Sequence, residues 1–126
     1  MRNDARENAF KLIFESLFHE VDTALSQENL TPLSKQEEKD FCEQIMSAFN
    51  AHKDEIKGMI ESHLKNYDYS RVFKIDLALI YVAVCEILYC GTPKAVAINE
   101  TLELAKKYST EKSSKFINGI VSAITK

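Results

Sequence analysis

The chain has 126 residues, 45% of them hydrophobic and 28% charged, with a formal net charge of −3. That is the profile of one globular domain able to bury a sizeable core. Three Gly and two Pro leave little material for hairpins or long loops, which excludes a β-rich or low-complexity chain and favours helices. Cys42, Cys85 and Cys90 are an odd number without a CxxC pair; they exclude a disulfide framework and read as reduced core residues of a cytoplasmic protein.

A first helix is expected from Asn3 or Asp4 to about Leu25. Ala9, Leu12, Ile13, Leu17 and Val21 give it an apolar stripe, with Phe10, Phe14 and Phe18 along a neighbouring edge. Asp4, Arg6 and Glu7 precede the first apolar positions, so no targeting signal is visible. Asn29 and Thr31-Pro32 signal a loop. Ser34-x-x-Glu37 then reads as a capping box opening a second helix with Phe41, Ile45, Ala48 and Phe49. A break is expected near Asn50 to Lys53, with Asp54 or a neighbour capping a third helix that carries Ile56, Met59, Ile60 and Leu64. Asn66 to Ser70 reads as a turn.

A fourth helix is expected from about Arg71 to Cys90, closed by Gly91 at the C′ position with Pro93 beyond it. Its segment from Val72 to Tyr89 approaches membrane length but carries Lys74, Asp76 and Glu86, so it predicts a helix buried on most sides within a bundle. Pro93 opens a fifth helix in which Ile98, Leu102, Ala105 and Tyr108 recur at helical spacing. Ser109-Thr110 offers hydroxyl caps for a sixth, with Phe116, Ile117, Ile120, Val121 and Ile124. Gly119 falls inside that last apolar period at a cost of about 1 kcal/mol against Ala. Its missing side chain should therefore admit a neighbouring helix or a ligand backbone. Six helices with short connections predict an all-α domain over 1–126, two packed three-helix sub-bundles sharing the fourth helix.

No catalytic constellation, Gly-rich phosphate loop or dinucleotide fingerprint is present. His19, His52 and His63 lack the i, i+4 spacing of a helical zinc pair, so neither metal nor cofactor is expected. Most carboxylates read as solvated helix faces. Glu86 is the exception: a charge between Cys85 and Ile87 in an apolar run needs either a buried partner or the rim of an interface. Charge is also uneven, with a balance of +3 over residues 93–126 and −6 over residues 1–92. Arg2, Arg6 and Lys11 near the N-terminus, and Lys112, Lys115 and Phe116 in the last helix, form a kit of cations and a ring suited to single-stranded RNA. The plain alternative is that the Lys-rich faces are merely solvated and Phe116 belongs to the core.

The pattern VAINE…ELAKKY…KFINGI resembles the C-terminal signature of the NusB family of bacterial transcription antitermination factors. The likeness extends through Ala5-Arg6-Glu7, Leu12-Ile13-Phe14, Phe41, His52, Ile56, Ile60, Leu64, Tyr67, Asp76, Ala78-Leu79 and Glu86. It implies two three-helix bundles that bind boxA-type single-stranded leader RNA together with the small-subunit ribosomal protein NusE. That assembly rides on RNA polymerase and supports ribosomal RNA synthesis. By this resemblance Arg2, Arg6, Lys112, Lys115, Phe116 and Asn118 are RNA-binding candidates, and Glu86 and Tyr81 face the partner. Two departures stand out: only Arg2 precedes Ala5-Arg6-Glu7 where many members carry an arginine-rich tip, and Ile80-Tyr81 replaces the usual Leu-Arg. A NusB-like domain of a ribosomal RNA methyltransferase, or a helical dimerisation or protein-interaction module, are the alternative readings.

Overall fold

The structure, a computed structural model, describes residues 2–17, 30–65 and 68–126. Five helices and a short 3-10 turn account for most of them, with no strand among the described residues: α1 (Arg2–Ser16), α2 (Gln36–His63), the turn Tyr69–Arg71, α3 (Lys74–Tyr89), α4 (Lys94–Tyr108) and α5 (Glu111–Ile124). The expected positions Phe18, Val21 and Leu25 of the first helix, the loop signal Asn29, His19 and Tyr67 lie outside the described residues.

The expected break at Asn50 to Lys53 is absent, and α2 runs unbroken from Gln36 to His63. The reason is phase. Phe41, Ile45, Ala48 and Phe49 are followed at helical steps by His52, Ile56 and Ile60, so the stripe passes through this segment without a shift. His52 itself occupies the stripe, its ring stacked on Tyr89 with centroids 3.9 Å apart. The predicted capping box also fails. Lys35, one residue after Ser34, is the extended N-cap and makes no side-chain cap bond; its carbonyl accepts from the Glu38 N–H at 3.1 Å.

Helix α3 is the hub. Every residue from Asp76 to Glu86 is buried, because α1, α2, α4 and α5 all pack against it. One group, α1–α2–α3, and another, α3–α4–α5, share that helix as expected. The fourth predicted helix begins later than Arg71, since the chain first makes the Tyr69–Arg71 turn. Its C-terminus follows the expected scheme. Cys90 is the C-cap, Gly91 takes φ +74°, and the reversed chain returns the Thr92 N–H to the Glu86 carbonyl at 3.0 Å. Pro93 is the N-cap of α4 rather than its first helical residue. Thr110 caps α5, its hydroxyl accepting from the Ser113 N–H at 3.2 Å.

Candidate nucleic-acid interface

The turn between α4 and α5 is fastened to the start of α3. The Ser109 hydroxyl donates to Asp76 Oδ1 at 2.7 Å, which sets the N-termini of α3 and α5 beside one another. Between them opens a groove of about 570 Å³, whose lining includes Arg71, Phe73, Asp76, Glu111, Lys112 and Phe116. Phe73 is the N-cap of α3 and is 67% exposed, a large ring held in water at the head of the most apolar helix. Phe116 is half-buried and Lys112 exposed. A guanidinium, an ammonium and two rings thus share one open groove, where rings can stack on unpaired bases and cations can meet phosphates.

The structure divides the candidate residues. Lys112 and Phe116 stand in this groove, and Lys115 and Phe116 line the next one. Asn118 is exposed on an adjoining face of α5, its carboxamide oxygen accepting from the Ser122 hydroxyl at 3.3 Å. Arg2 is exposed, with its guanidinium 4.6 Å from the centroid of the Phe41 ring. Arg6 is set apart by burial. It is 2% exposed, and its Nε and Nη2 donate to the two Glu86 carboxylate oxygens at 2.5 and 2.6 Å. Glu86 lies ten residues beyond Asp76, about 15 Å along α3.

That bidentate pair corrects two expectations together. Arg6 is not a free cation for phosphates, and Glu86, 0% exposed, is not a rim contact for a partner. The Thr92 hydroxyl donates to Glu86 at 3.2 Å, and Arg6 Nη1 donates to Asn3 at 2.8 Å, so both ions are satisfied inside the protein. Tyr81 is corrected likewise. It is buried, shares a 2.7 Å hydrogen bond with the Tyr69 hydroxyl, and meets Phe49 edge-on at 5.1 Å. Burial pushes its hydroxyl well above the ordinary phenol range.

Two features were missed. Arg71 and Phe73 sit in a 3-10 turn and at a helix start, where no periodicity marks a surface ring, although Arg71-x-Phe73 repeats the cation-and-ring composition noted near Phe116. The second is an acidic groove of about 700 Å³ beside the C-terminal end of α3, with Asp40, Glu43, His52 and Tyr89 in its wall. Tyr89 in that wall is 37% exposed, and Leu88, its neighbour in α3, is 41% exposed.

No group of three or more His, Cys, Asp or Glu suited to a metal occurs among the described residues. His52 and His63 share the unbroken α2, but eleven residues set them about 16 Å apart. Burial, with the Cys90 and Glu86 charges, pushes the Cys85 thiol up to about 12; burial and Glu86 push Cys90 up to about 11. Both thiols stay protonated and unreactive at neutral pH. No helix of the described residues is long and apolar enough to cross a membrane.

Comparison with known proteins agrees with the geometry. A family model described as "NusB family" matches residues 3–126. A transcription antitermination protein NusB of Finegoldia magna is 38% identical over 132 residues, covering 99% of this chain and 93% of that protein. One of Listeria innocua is 39% identical over 124 residues, covering 98% and 94%. Among solved structures, T. maritima NusB superposes with a TM-score of 0.87 at 27% identity, covering 99% of this chain and 90% of that one. Antitermination factors NusB and NusE in complex with dsRNA superpose at 0.84 and 25% identity, covering 98% and 95%. With a fold, a chain length and a sequence pattern that agree from end to end, this chain belongs to the NusB family.

Proposed function

We propose that this chain is a non-catalytic, cytoplasmic transcription antitermination factor. It binds boxA-type leader RNA cooperatively with a NusE-type small-subunit ribosomal protein, joins the antitermination complex on RNA polymerase, and supports ribosomal RNA synthesis. The observation that carries the RNA half is the groove between α3 and α5, where Phe73 stands 67% exposed beside Arg71, Lys112 and Phe116. An apolar ring kept in water is unfavourable for the free protein, and stacking on unpaired bases removes it from solvent. A duplex keeps its bases stacked on one another and offers such a ring nothing, so the preferred RNA is single-stranded. The likeness to NusB and NusE in complex with dsRNA supports RNA and a NusE-type protein as the ligands; the preference for a single strand rests on the exposed Phe73 ring alone.

Glu86 and Tyr81 being buried, the partner docks instead on the exposed end of α3. Tyr89, Leu88 and the acidic groove of Asp40 and Glu43 suit a basic protein surface. Arg6 is committed internally to Glu86, so it adds nothing to the RNA affinity of the protein alone.

The deciding experiment titrates labelled boxA RNA with the protein alone and with the ribosomal partner, against an unlabelled duplex competitor. The partner should tighten binding, and the duplex should compete poorly. Phe73→Ala should weaken binding by about tenfold, the loss of about one base stack, without lowering the melting temperature. Lys112→Ala should flatten the plot of log affinity against log salt by about 0.7. No gain from the partner, together with a silent Phe73→Ala, refutes this function.

A further inference from the structure

A second groove opens on the other side of Phe116. About 450 Å³ in volume, it lies between the C-terminal end of α2 and the outer face of α5, and His63, Lys65, Lys115, Phe116 and Gly119 stand in its wall. Three properties of this groove belong together. The first concerns Gly119, which occupies the interior of α5 at an exposed position. A Cβ built there would meet nothing within 4 Å among the described residues. No neighbouring helix among the described residues needs the missing side chain. Gly58 of α2 is equally open, so openness alone marks no ligand; what sets Gly119 apart is that it stands in the wall of this groove, where a ligand backbone can lie against the helix.

The second property is charge. The α3–α5 groove mixes Arg71 and Lys112 with Asp76 and Glu111, so its carboxylates offset its cations and its rings are its main asset. Among the described residues the second groove carries Lys65 and Lys115 and no carboxylate in its wall, which suits a polyanion. The third is continuity: Phe116 lines both grooves, so a strand leaving the first passes over this ring into the second. We propose that single-stranded RNA held between α3 and α5 continues across Phe116 into the α2–α5 groove, its backbone against Gly119 and its phosphates on Lys65 and Lys115. The first groove reads bases by stacking and the second holds the backbone by charge. This inference rests on the RNA-binding reading given above.

Two labelled RNAs test it on the full chain: a boxA-type strand, and the same strand lengthened by a few uridines at either end. The longer strand should bind more tightly at low salt. Two added lysine–phosphate contacts steepen its salt slope by about 1.4, so its advantage should shrink about sevenfold between about 50 and 200 mM salt. Gly119→Leu should abolish that advantage and Lys65→Ala should halve its extra salt slope to about 0.7, each leaving the shorter strand within about twofold of wild type. Gly119→Ala should raise the melting temperature, since Ala is the better helix former and its methyl group meets open space. Should Gly119→Leu fold poorly, Lys65→Ala carries the test alone. Equal affinity for the two strands overturns the proposal while leaving the first groove standing, as does an extra salt slope that Lys65→Ala leaves unchanged. Loss of ribosomal-partner binding by Gly119→Leu with the RNA advantage intact assigns the groove to a protein and overturns it too. Failure of both strands to bind removes the RNA reading and this inference with it.

Discussion

Arg6→Ala should be among the most damaging single substitutions in this protein, and it should act on the fold rather than on the ligand. It would strand a carboxylate that is 0% exposed and whose remaining donor is the Thr92 hydroxyl at 3.2 Å. Breaking a buried pair from one side costs about 3–5 kcal/mol, a large part of a typical domain stability of about 5–15 kcal/mol. For 126 residues the unfolding entropy near the midpoint is about 0.26 kcal/mol per degree, so the melting temperature should fall by about 10–20 °C. Glu86→Ala should fall in the same range, because it leaves the guanidinium buried under Phe41 with Asn3 as its remaining partner. Arg6→Met combined with Glu86→Leu removes both charges and should recover much of the loss, as buried pairs replaced by apolar side chains of similar volume often do. Calorimetry on the three variants, with urea melts for comparison, measures the cycle. Single variants costing less than about 1 kcal/mol, the scale of a solvated pair, would refute a buried bridge. A normal melt with a flattened RNA salt slope in Arg6→Ala would return Arg6 to the phosphates.

Two further outcomes follow from single residues. Burial by itself would raise the Glu7 carboxyl, but hydrogen bonds from Lys107 at 2.7 Å and Tyr108 at 2.6 Å, with the Lys107 and Lys11 charges, hold it below its ordinary 4.5. Its contribution to stability is therefore present above about pH 4.5 and lost as pH falls through the lower folded value. Melts of wild type and Glu7→Gln should be well separated at neutral pH and converge in acid, and a gap that persists in strong acid would contradict this. Gly91→Ala should cost about 1–2 kcal/mol, since the strain comes from φ +74° alone and a Cβ there meets nothing within 4 Å. Against the stabilising Gly119→Ala, thermal melts of the pair should shift in opposite directions.

The parts of the fold legible in the sequence are those encoded locally. The apolar run of α3, Gly91 after its end and Thr110 before α5 act over a turn or less of chain, and each stands where its chemistry implies. The errors at α2 were also local. Asn50, His52 and Lys53 suggest a break only when the continuous phase of the stripe is ignored, and Ser34 stands one residue before the Lys35 cap. In an unbroken helix of 28 residues, what stabilises residues 50–53 is packing at both ends of the stripe, and His52 joins that packing through a Tyr89 ring supplied by α3.

The site was less legible because its signals are ambiguous until distant residues meet. An isolated acid in an apolar helix announces that a partner exists but not where. Arg6, 80 positions away, was instead grouped with Arg2 by its place in the chain. Both members of the bridge carry the family resemblance, so Ala5-Arg6-Glu7 and Glu86 mark the joint between α1 and α3 rather than a ligand face. Glu7 binds the end of α4 in the same way, through Lys107 and Tyr108. From there Ser109 reaches Asp76 and fixes the mouth of the α3–α5 groove. The buried charges of α1 thus hold the helices whose exposed ends line the proposed RNA groove, and substitutions along that chain of bonds should reach binding through the geometry of the groove. Substitutions at Lys112 and Phe73, the proposed contacts, should act on the ligand directly, and comparing the two kinds of variant at matched stability separates positioning from contact.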